Sequence, residues 1–503
     1  ILEGGVEGMI VVVQPRRLAA RMLAKRVAQL RGTALGGEVG YVVRYDHKMT
    51  KQTKIVYITD GVLQRWLQEN PLLDGIEAVI FDEFHERRIA MDVALADCLN
   101  LQDSERQNLK VVVMSATLEV VGLEEYLSPC RRIEAGGRAF PVEIEYQKLA
   151  KQSVRRVGRQ DQEEPIWDKT IRALKEVVSD PDCGNILVFM PGVYEIRRAM
   201  SAIENLSLKN WEVCPLYGSL KPEMQDRAVR ESSGRRIIVS TNVAETSLTI
   251  PGVRTVIDTG LARIAKFGSV RGMDTLFVRK IARSAADQRS GRAGRVAPGK
   301  CIRLWSETDH GRRNAFEQPE VLRVDLTDVV LQLKSRGFDT IEDFRWLNKP
   351  SQESSNHALG LLETLGAINE DEINEVGRQL AALPLHPRIA KLMLSAHEHG
   401  CLAEGIFAAS LIEGESLFLK SSDSAGRGAF VYGDDSSDFC ADSRGYISAK
   451  AMNFQPNRCS AIGVSARAAR ELERGMDSLT KSLKRLDWHA SEMDFEKNGI
   501  KFS

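Results

Sequence analysis

The residues Asp82-Glu83-Phe84-His85-Glu86-Arg87-Arg88 follow directly on the apolar run Ile76–Phe81. Two adjacent carboxylates at the carboxyl end of a buried strand sit where open α/β sheets bind ligands. One can hold Mg²⁺ on nucleotide phosphates through water, while its neighbour takes the proton from an attacking water. A bare Asp-Glu pair is usually a solvated turn. An Asp-Glu-x-His set behind an apolar strand is much rarer. The second set is Gln288-Arg289-Ser290-Gly291-Arg292-Ala293-Gly294-Arg295. Arg292 and Arg295, three apart, project from one helical face and can stabilise charge on a transferring phosphoryl group, worth about 10³–10⁵ in rate. Residues 279–313 hold ten basic and three acidic residues, so a solvated basic helix is the bland alternative. Two glycines in a helix cost about 1 kcal/mol each, which points to a geometric need. Ser115-Ala116-Thr117 follows the apolar run Lys110–Met114 and reads equally as a helix cap or as part of a site.

Elements must position these groups. Short β-branched runs recur at Met9–Val13, Lys54–Ile58, Ile76–Phe81, Lys110–Met114, Asn185–Met190, Arg236–Val239, Val253–Ile257 and Cys301–Trp305. Helix-like stretches such as Leu18–Leu30 and Ile196–Ile203 lie between them, the pattern of an α/β protein with parallel sheets. A charged break at 148–168 separates two such halves. From Asp325 onward apolar residues fall at helical spacing, and an amphipathic, basic helix is expected over Ser465–Leu486. Residues 421–446, rich in Ser, Asp and Gly, read as a surface loop.

The 503 residues suggest about three or four domains. With 43% hydrophobic and 27% charged residues the composition is globular, and 69 basic residues cancel 69 acidic ones. No global charge pulls the molecule towards nucleic acid, so any such surface must be local. No apolar run approaches the ~20 residues that span a bilayer. Eight scattered cysteines exclude CxxC metal knuckles and leave a reducing cytoplasm as the expected location.

Taken in order, these residues resemble the motifs of superfamily-two helicases, and more narrowly the DEAH/RHA group in its bacterial HrpB-type branch. Gln14-Pro15-Arg16-Arg17-Leu18-Ala19-Ala20 resembles motif Ia, Thr59-Asp60-Gly61-Val62-Leu63 motif Ib, Asp82–His85 motif II and Ser115–Thr117 motif III. Ser240–Ile250 resembles motif V, Gln288–Arg295 motif VI, and Gly377–Arg388 the boundary between winged-helix and ratchet-like domains. The resemblance implies RecA-like domains at 1–147 and 148–318, a winged-helix domain at 319–383 and a helical domain at 384–503. It implies ATP and Mg²⁺ between the first two and single-stranded RNA across their top, with 3′-to-5′ movement. Asp82 and Glu83 would serve the metal, with Glu83 the general base. His85 would link the ATP site to motif VI, and Gln288 would orient water. Arg292 and Arg295 would be arginine fingers, and Ser115 and Thr117 coupling residues. Arg16, Arg17, Thr59, Gly61, Thr241 and Asn242 would hold RNA, while Thr249 and Asp258 are candidates for the nucleotide edge. Residues 14–31 agree: six basic residues and no acid make a phosphate-facing surface. Where many relatives carry an aromatic, against the position of Arg26, this chain has Val229, which leaves the grip to the RNA backbone.

The family's motif I, GxxxxGK[ST], does not stand before motif Ia, and the expectation is that the gene encodes it upstream of Ile1. Gly294–Cys301 fits GxxxxGK but ends in Cys and opens a strand, so it fails as a phosphate loop. On this reading residues 1–503 alone would not turn over ATP. Rival readings are a nucleotide-dead RNA-binding scaffold, opposed by the carboxylates and arginines still in place, and a DNA translocase with the same engine.

Overall fold

The computed structural model describes residues 8–44, 46–116, 122–136, 140–147, 155–157, 160–162, 164–232, 234–245, 249–268, 273–419, 426–433, 435 and 437–489. Packing divides the chain into two units: residues 1–324 with 345–349, and residues 325–344 with 350–503.

The first unit holds two sheets. β1 (Met9–Gln14), β2 (Val39–Val43), β3 (Asp46–Lys48), β4 (Ile55–Thr59), β5 (Ile76–Phe81) and β6 (Lys110–Val113) lie in the order β3-β2-β4-β1-β5-β6. All neighbours are parallel except the β2–β3 pair at one edge. Helices α1 (Arg17–Leu30), α2 (Asp60–Glu69) and α3 (Ile89–Asp103) cross over between strands, and the short α4 (Leu123–Tyr126) follows. β1 runs Met-Ile-Val-Val-Val-Gln and is buried on both faces, as a central parallel strand must be. Val11, Val13, Val79 and Phe81 join one core, and Ile10, Val12, Ala78 and Ile80 the other.

The second sheet is wholly parallel. β7 (Val142–Tyr146) precedes the small hairpin β8 (Arg155–Val157) and β9 (Gln160–Gln162), then α5 (Ile166–Val177), β10 (Asn185–Phe189) and α6 (Val193–Glu204). β11 (Trp211–Leu216), α7 (Pro222–Val229), β12 (Arg235–Ser240) and β13 (Val253–Asp258) lead to the antiparallel hairpin β14 (Leu261–Gly268) and β15 (Met273–Lys280). α8 (Arg283–Gly291) and β16 (Gly299–Arg303) close the order β11-β12-β10-β13-β16-β7. β7 therefore corrects the expected boundary after residue 147: it pairs with β16, so the chain has crossed to the second sheet before Val142. Much of the charged break itself lies outside the described residues.

In the second unit, helices Thr327–Ser335, Gln352–Thr364 and Glu375–Ala381 surround the two-stranded wing Ile368–Asn369 and Glu372–Ile373. Helices Pro387–Glu398, Leu402–Glu413, Asp438–Ala451, Pro456–Ala461 and Ala466–Leu483 follow. This matches the expected winged-helix and helical-bundle parts. The expected loop at 421–446 is corrected in its later part. Ser437 accepts the Phe439 N–H and caps a helix from Asp438, so residues read as loop formers act as a helix start. Residues 420–425 lie outside the described residues.

Candidate active site

The described motif residues of the first core stand at the carboxyl edge of its sheet, in loops or in the first turns of α1 and α2. Asp82 follows β5, its N–H donating to the Val13 carbonyl at 3.0 Å. Gln14, at the end of β1, donates to Asp82 Oδ2 at 2.5 Å, and the Glu83 N–H donates to Oδ1 at 2.8 Å. Burial pushes the Asp82 carboxyl above its usual value, with the Glu83 charge adding, against the lowering pull of Gln14. Glu83 itself sits at φ 54°, in the left-handed region, so the chain turns sharply between the two carboxylates. The Phe84 N–H donates to the Met114 carbonyl at 3.1 Å and fastens the turn to the end of β6.

His85 stands between the motif II turn and the loop after β6. Its Nδ1 accepts the Ala116 N–H at 3.3 Å, and its Nε2 lies 3.4 Å from Glu83 Oε2. An accepting Nδ1 puts the proton of the neutral ring on Nε2, facing the carboxylate. The ring thus bridges Glu83 to the Ser115-Ala116 loop. Ser115 is half-buried in that loop. Thr117 lies outside the described residues.

The basic stretch 14–31 is also corrected. Arg16 grips Glu86 at two points, Nε–Oε1 3.0 Å and Nη2–Oε2 3.2 Å. Arg31 does the same with Glu38, both at 3.0 Å. Arg21 lies 3.5 Å and Lys25 3.4 Å from Asp226 of α7. Leu18 and Met22 on the same helix enter the apolar cluster of the second core with Val229 and Ala228. Much of α1 is therefore the seam between the cores and not a phosphate-facing surface; Arg17 and Arg26 are exposed. Val229 is core, 5% exposed. Thr59 is the N-cap residue of α2, and a Cβ at Gly61 would meet open space.

Sequence reasoning missed the braces. Arg88 lies 2.9 Å from Asp60 and also donates to the Pro15 carbonyl, joining the loops after β1, β4 and β5. The charged tail Glu86–Arg88 was the available signal, but polar residues behind a motif read as solvated until partners are seen.

In the second core, Thr241 and Asn242 follow β12 and are half-buried. Arg289 is wholly buried: Nε meets Glu245 at 2.7 Å, Nη1 meets Asp258 at 2.9 Å, and its guanidinium lies 4.7 Å from the Phe189 ring centre. Asp258 is thus enclosed on Arg289 and the Gly260 N–H, and it does not face an open nucleotide edge. Thr249 accepts a hydrogen bond from Arg295. Gln288 is half-buried on α8. Arg292 begins a 3₁₀ turn, Arg292–Gly294, and not a continuing α-helix. In 3₁₀ geometry residues three apart eclipse, so the shared face of Arg292 and Arg295 is kept by a different route. Gly294 has its geometric need: a Cβ would stand 2.5 Å from the Phe140 carbonyl. Gly291 has none.

The two sets meet. Burial and then Arg295 push the Arg292 guanidinium down to about 9, while Glu83 and Glu245 offset part of this. Glu83 likewise acts on Arg295 and Arg16. Crowding two cations opposite an acid in a partly dry place suits a bound polyanion with a divalent cation. One inner carboxylate fits Mg²⁺, which keeps water and phosphate as its other ligands. Among the described residues no cluster of three metal-ligating side chains is found. Lys300 pairs with Glu145 at 2.7 Å across β16 and β7, which takes it away from any phosphate loop.

Comparison with known proteins agrees in order and extent. Residues 4–125 match the DEAD/DEAH box helicase model and 169–297 the helicase conserved C-terminal domain. Residues 358–385 and 386–478 match the winged-helix and ratchet-like helicase associated domains (HA2). The crystal structure of the Escherichia coli DEAH/RHA helicase HrpB superposes with a TM-score of 0.77 and 31% identity, over 94% of this chain and 55% of that one. The chain belongs to the DEAH/RHA helicases. It is 38% identical to the ATP-dependent RNA helicase HrpA of Escherichia coli over 81% of its length, covering 31% of that protein. It is 34% identical to HrpB of the same organism and 35% identical to the probable ATP-dependent RNA helicase DHR2 of Saccharomyces cerevisiae. It covers 49% and 56% of these, so it spans about a third to a little over half of such relatives. Among the described residues no helix is long and apolar enough to cross a membrane.

Proposed function

We propose that the chain forms the engine of an ATP-dependent RNA helicase or remodeller, moving 3′-to-5′ on single-stranded RNA in the cytoplasm. The observation that carries this is the meeting of Glu83 of the first core with Arg292 and Arg295 of the second in one electrostatic neighbourhood. ATP with Mg²⁺, when bound, supplies the phosphoanhydride to be cleaved and the charge to be managed. Asp82 would hold Mg²⁺, and its partial burial would strengthen that attraction. Glu83 accepts the proton of the attacking water, oriented by Gln288. His85 holds the Glu83 carboxylate and reports its state to Ser115 and Thr117. Arg292 and Arg295 meet negative charge as it develops. Arg17, Thr59, Gly61, Thr241 and Asn242 line the carboxyl edges where an RNA backbone would lie; Arg16 acts there through Glu86. Thr249, held by Arg295, stands beside the nucleotide, and Asp258 contributes by fixing Arg289.

The test is RNA-stimulated ATP hydrolysis by a protein that joins residues 1–503 to a GxxxxGK[ST] loop, against Glu83→Gln. The variant should keep ATP binding and lose roughly 10²–10⁴ of turnover. Near-normal turnover would remove Glu83 as the base. DNA stimulating as well as RNA would favour the DNA translocase.

A further inference from the structure

All strands of the second sheet point to one edge. The helix that leads into β10 and the helix that leaves it therefore both start at that edge, running back along the strands. α5 and α6 are those helices, and their first turns bring Trp167 and Tyr194 together with ring centroids 6.1 Å apart at 82°. Arg198, one turn along α6, lies 5.5 Å from the Tyr194 ring centre and 5.9 Å from that of Trp167. Its Nε donates to the Tyr194 hydroxyl at 3.2 Å. Tyr194 nevertheless keeps 53% of its surface in water. Thr241 and Asn242 stand at the same edge, behind the neighbouring β12.

We propose that Tyr194, Trp167 and Arg198 form a stacking platform for an unpaired nucleobase of the RNA strand, a reading that rests on the RNA engine above. An aromatic face and a guanidinium plane accept any base, because every base has a π-face. Arg198 holds the Tyr194 ring by its hydroxyl, so little freedom is lost when a base arrives. Near the starts of these helices Glu195 lies 3.6 Å from Arg263 and Glu164 pairs with Arg172, while Asp168 stands in the first turn of α5. Arg197 and Arg198 stay exposed, leaving the edge attractive to phosphates on either side of the base. The platform supplies the ring that Val229 lacks, at a different place.

The test uses the full chain and two labelled oligouridines of equal length, one with abasic sites through its middle. Wild type should hold the base-bearing strand about 5- to 100-fold more tightly, the range for one stacked base. Tyr194→Leu should bring that ratio towards one without altering the slope of affinity against salt, and Tyr194→Phe should retain it. An unchanged melting temperature shows that Tyr194→Leu is folded; Trp167→Leu gives a second reading of the same ratio. Equal wild-type affinity for both strands, or a full ratio in Tyr194→Leu, overturns the platform and leaves the RNA engine standing. No binding of either strand by wild type overturns both.

Discussion

Arg289 Nη1 meets Asp258 Oδ1 at 2.9 Å with both side chains wholly enclosed in the second core. Glu245 takes the same guanidinium from the motif V side. A family motif thus carries, one residue after Gln288, a cation whose work is to fasten three loops. Removing one partner of a buried pair leaves the other charged and dry, a loss of about 3–5 kcal/mol. Arg289→Met should lower the unfolding free energy of the second core, read from urea titration, by that amount. A loss below about 1 kcal/mol would show the brace to be dispensable.

Arg292 should behave in the opposite sense. Its folded pKa, about 9, lies well below the ordinary guanidinium value, so folding disfavours the charged form at every pH below about 9. A group with a depressed pKa adds stability only above its unfolded value, here far outside the working range. Arg292→Met should therefore raise the melting temperature at neutral pH by about 2–4 °C, while removing most RNA-stimulated turnover. A lower melting temperature would mean that the guanidinium is a structural tie.

The two glycines of motif VI separate cleanly. Gly294→Ala would press a methyl against the Phe140 carbonyl and Val142 Cγ2, 2.5 and 2.7 Å away. It should cost about 1–3 kcal/mol. Gly291 has φ −58° and open space, so Gly291→Ala should be neutral or stabilise by up to about 1 kcal/mol. Equal losses from both, measured by chemical unfolding, would contradict the close approach.

In the second unit, burial would raise the Asp325 carboxyl, but His386, at 3.3 Å, and Thr327 outweigh it and hold the group at about 2 against an ordinary 3.8. A depressed carboxyl pKa gives stability that is present above 3.8 and lost as pH falls through about 2. Asp325→Asn should cost about 2 kcal/mol at neutral pH and flatten the acid arm of the stability curve. An unchanged acid arm, followed by circular dichroism, would show the pair to be idle.

The central strands were legible because β1, β5, β10 and β13 are buried on both faces and read as unbroken apolar runs. β7, β11, β14 and β15 were not. They are edge or hairpin strands whose alternation, as in Val-Glu-Ile-Glu-Tyr, looks like loop. At the site, Asp82, Glu83, Arg292 and Arg295 could be read from type and spacing. The partners of Arg16, Arg21 and Lys25 could not, because Glu86 and Asp226 lie 70 and about 200 positions away.

β7 has a bearing on how the molecule can be dissected. The Phe140 N–H donates to Gly294 O at 2.8 Å, the Gly299 N–H to Pro141 O at 3.1 Å, and Tyr146 supplies a hydroxyl to the buried Arg303. A fragment that starts at residue 148 would strip β16 of its neighbour and leave Arg303 short of a partner. Its counterpart ending at residue 147 would trail an orphan strand. Each half would then offer an open edge to other copies, so the two excised pieces should aggregate or exchange strands where a cut before Phe140 gives a clean product.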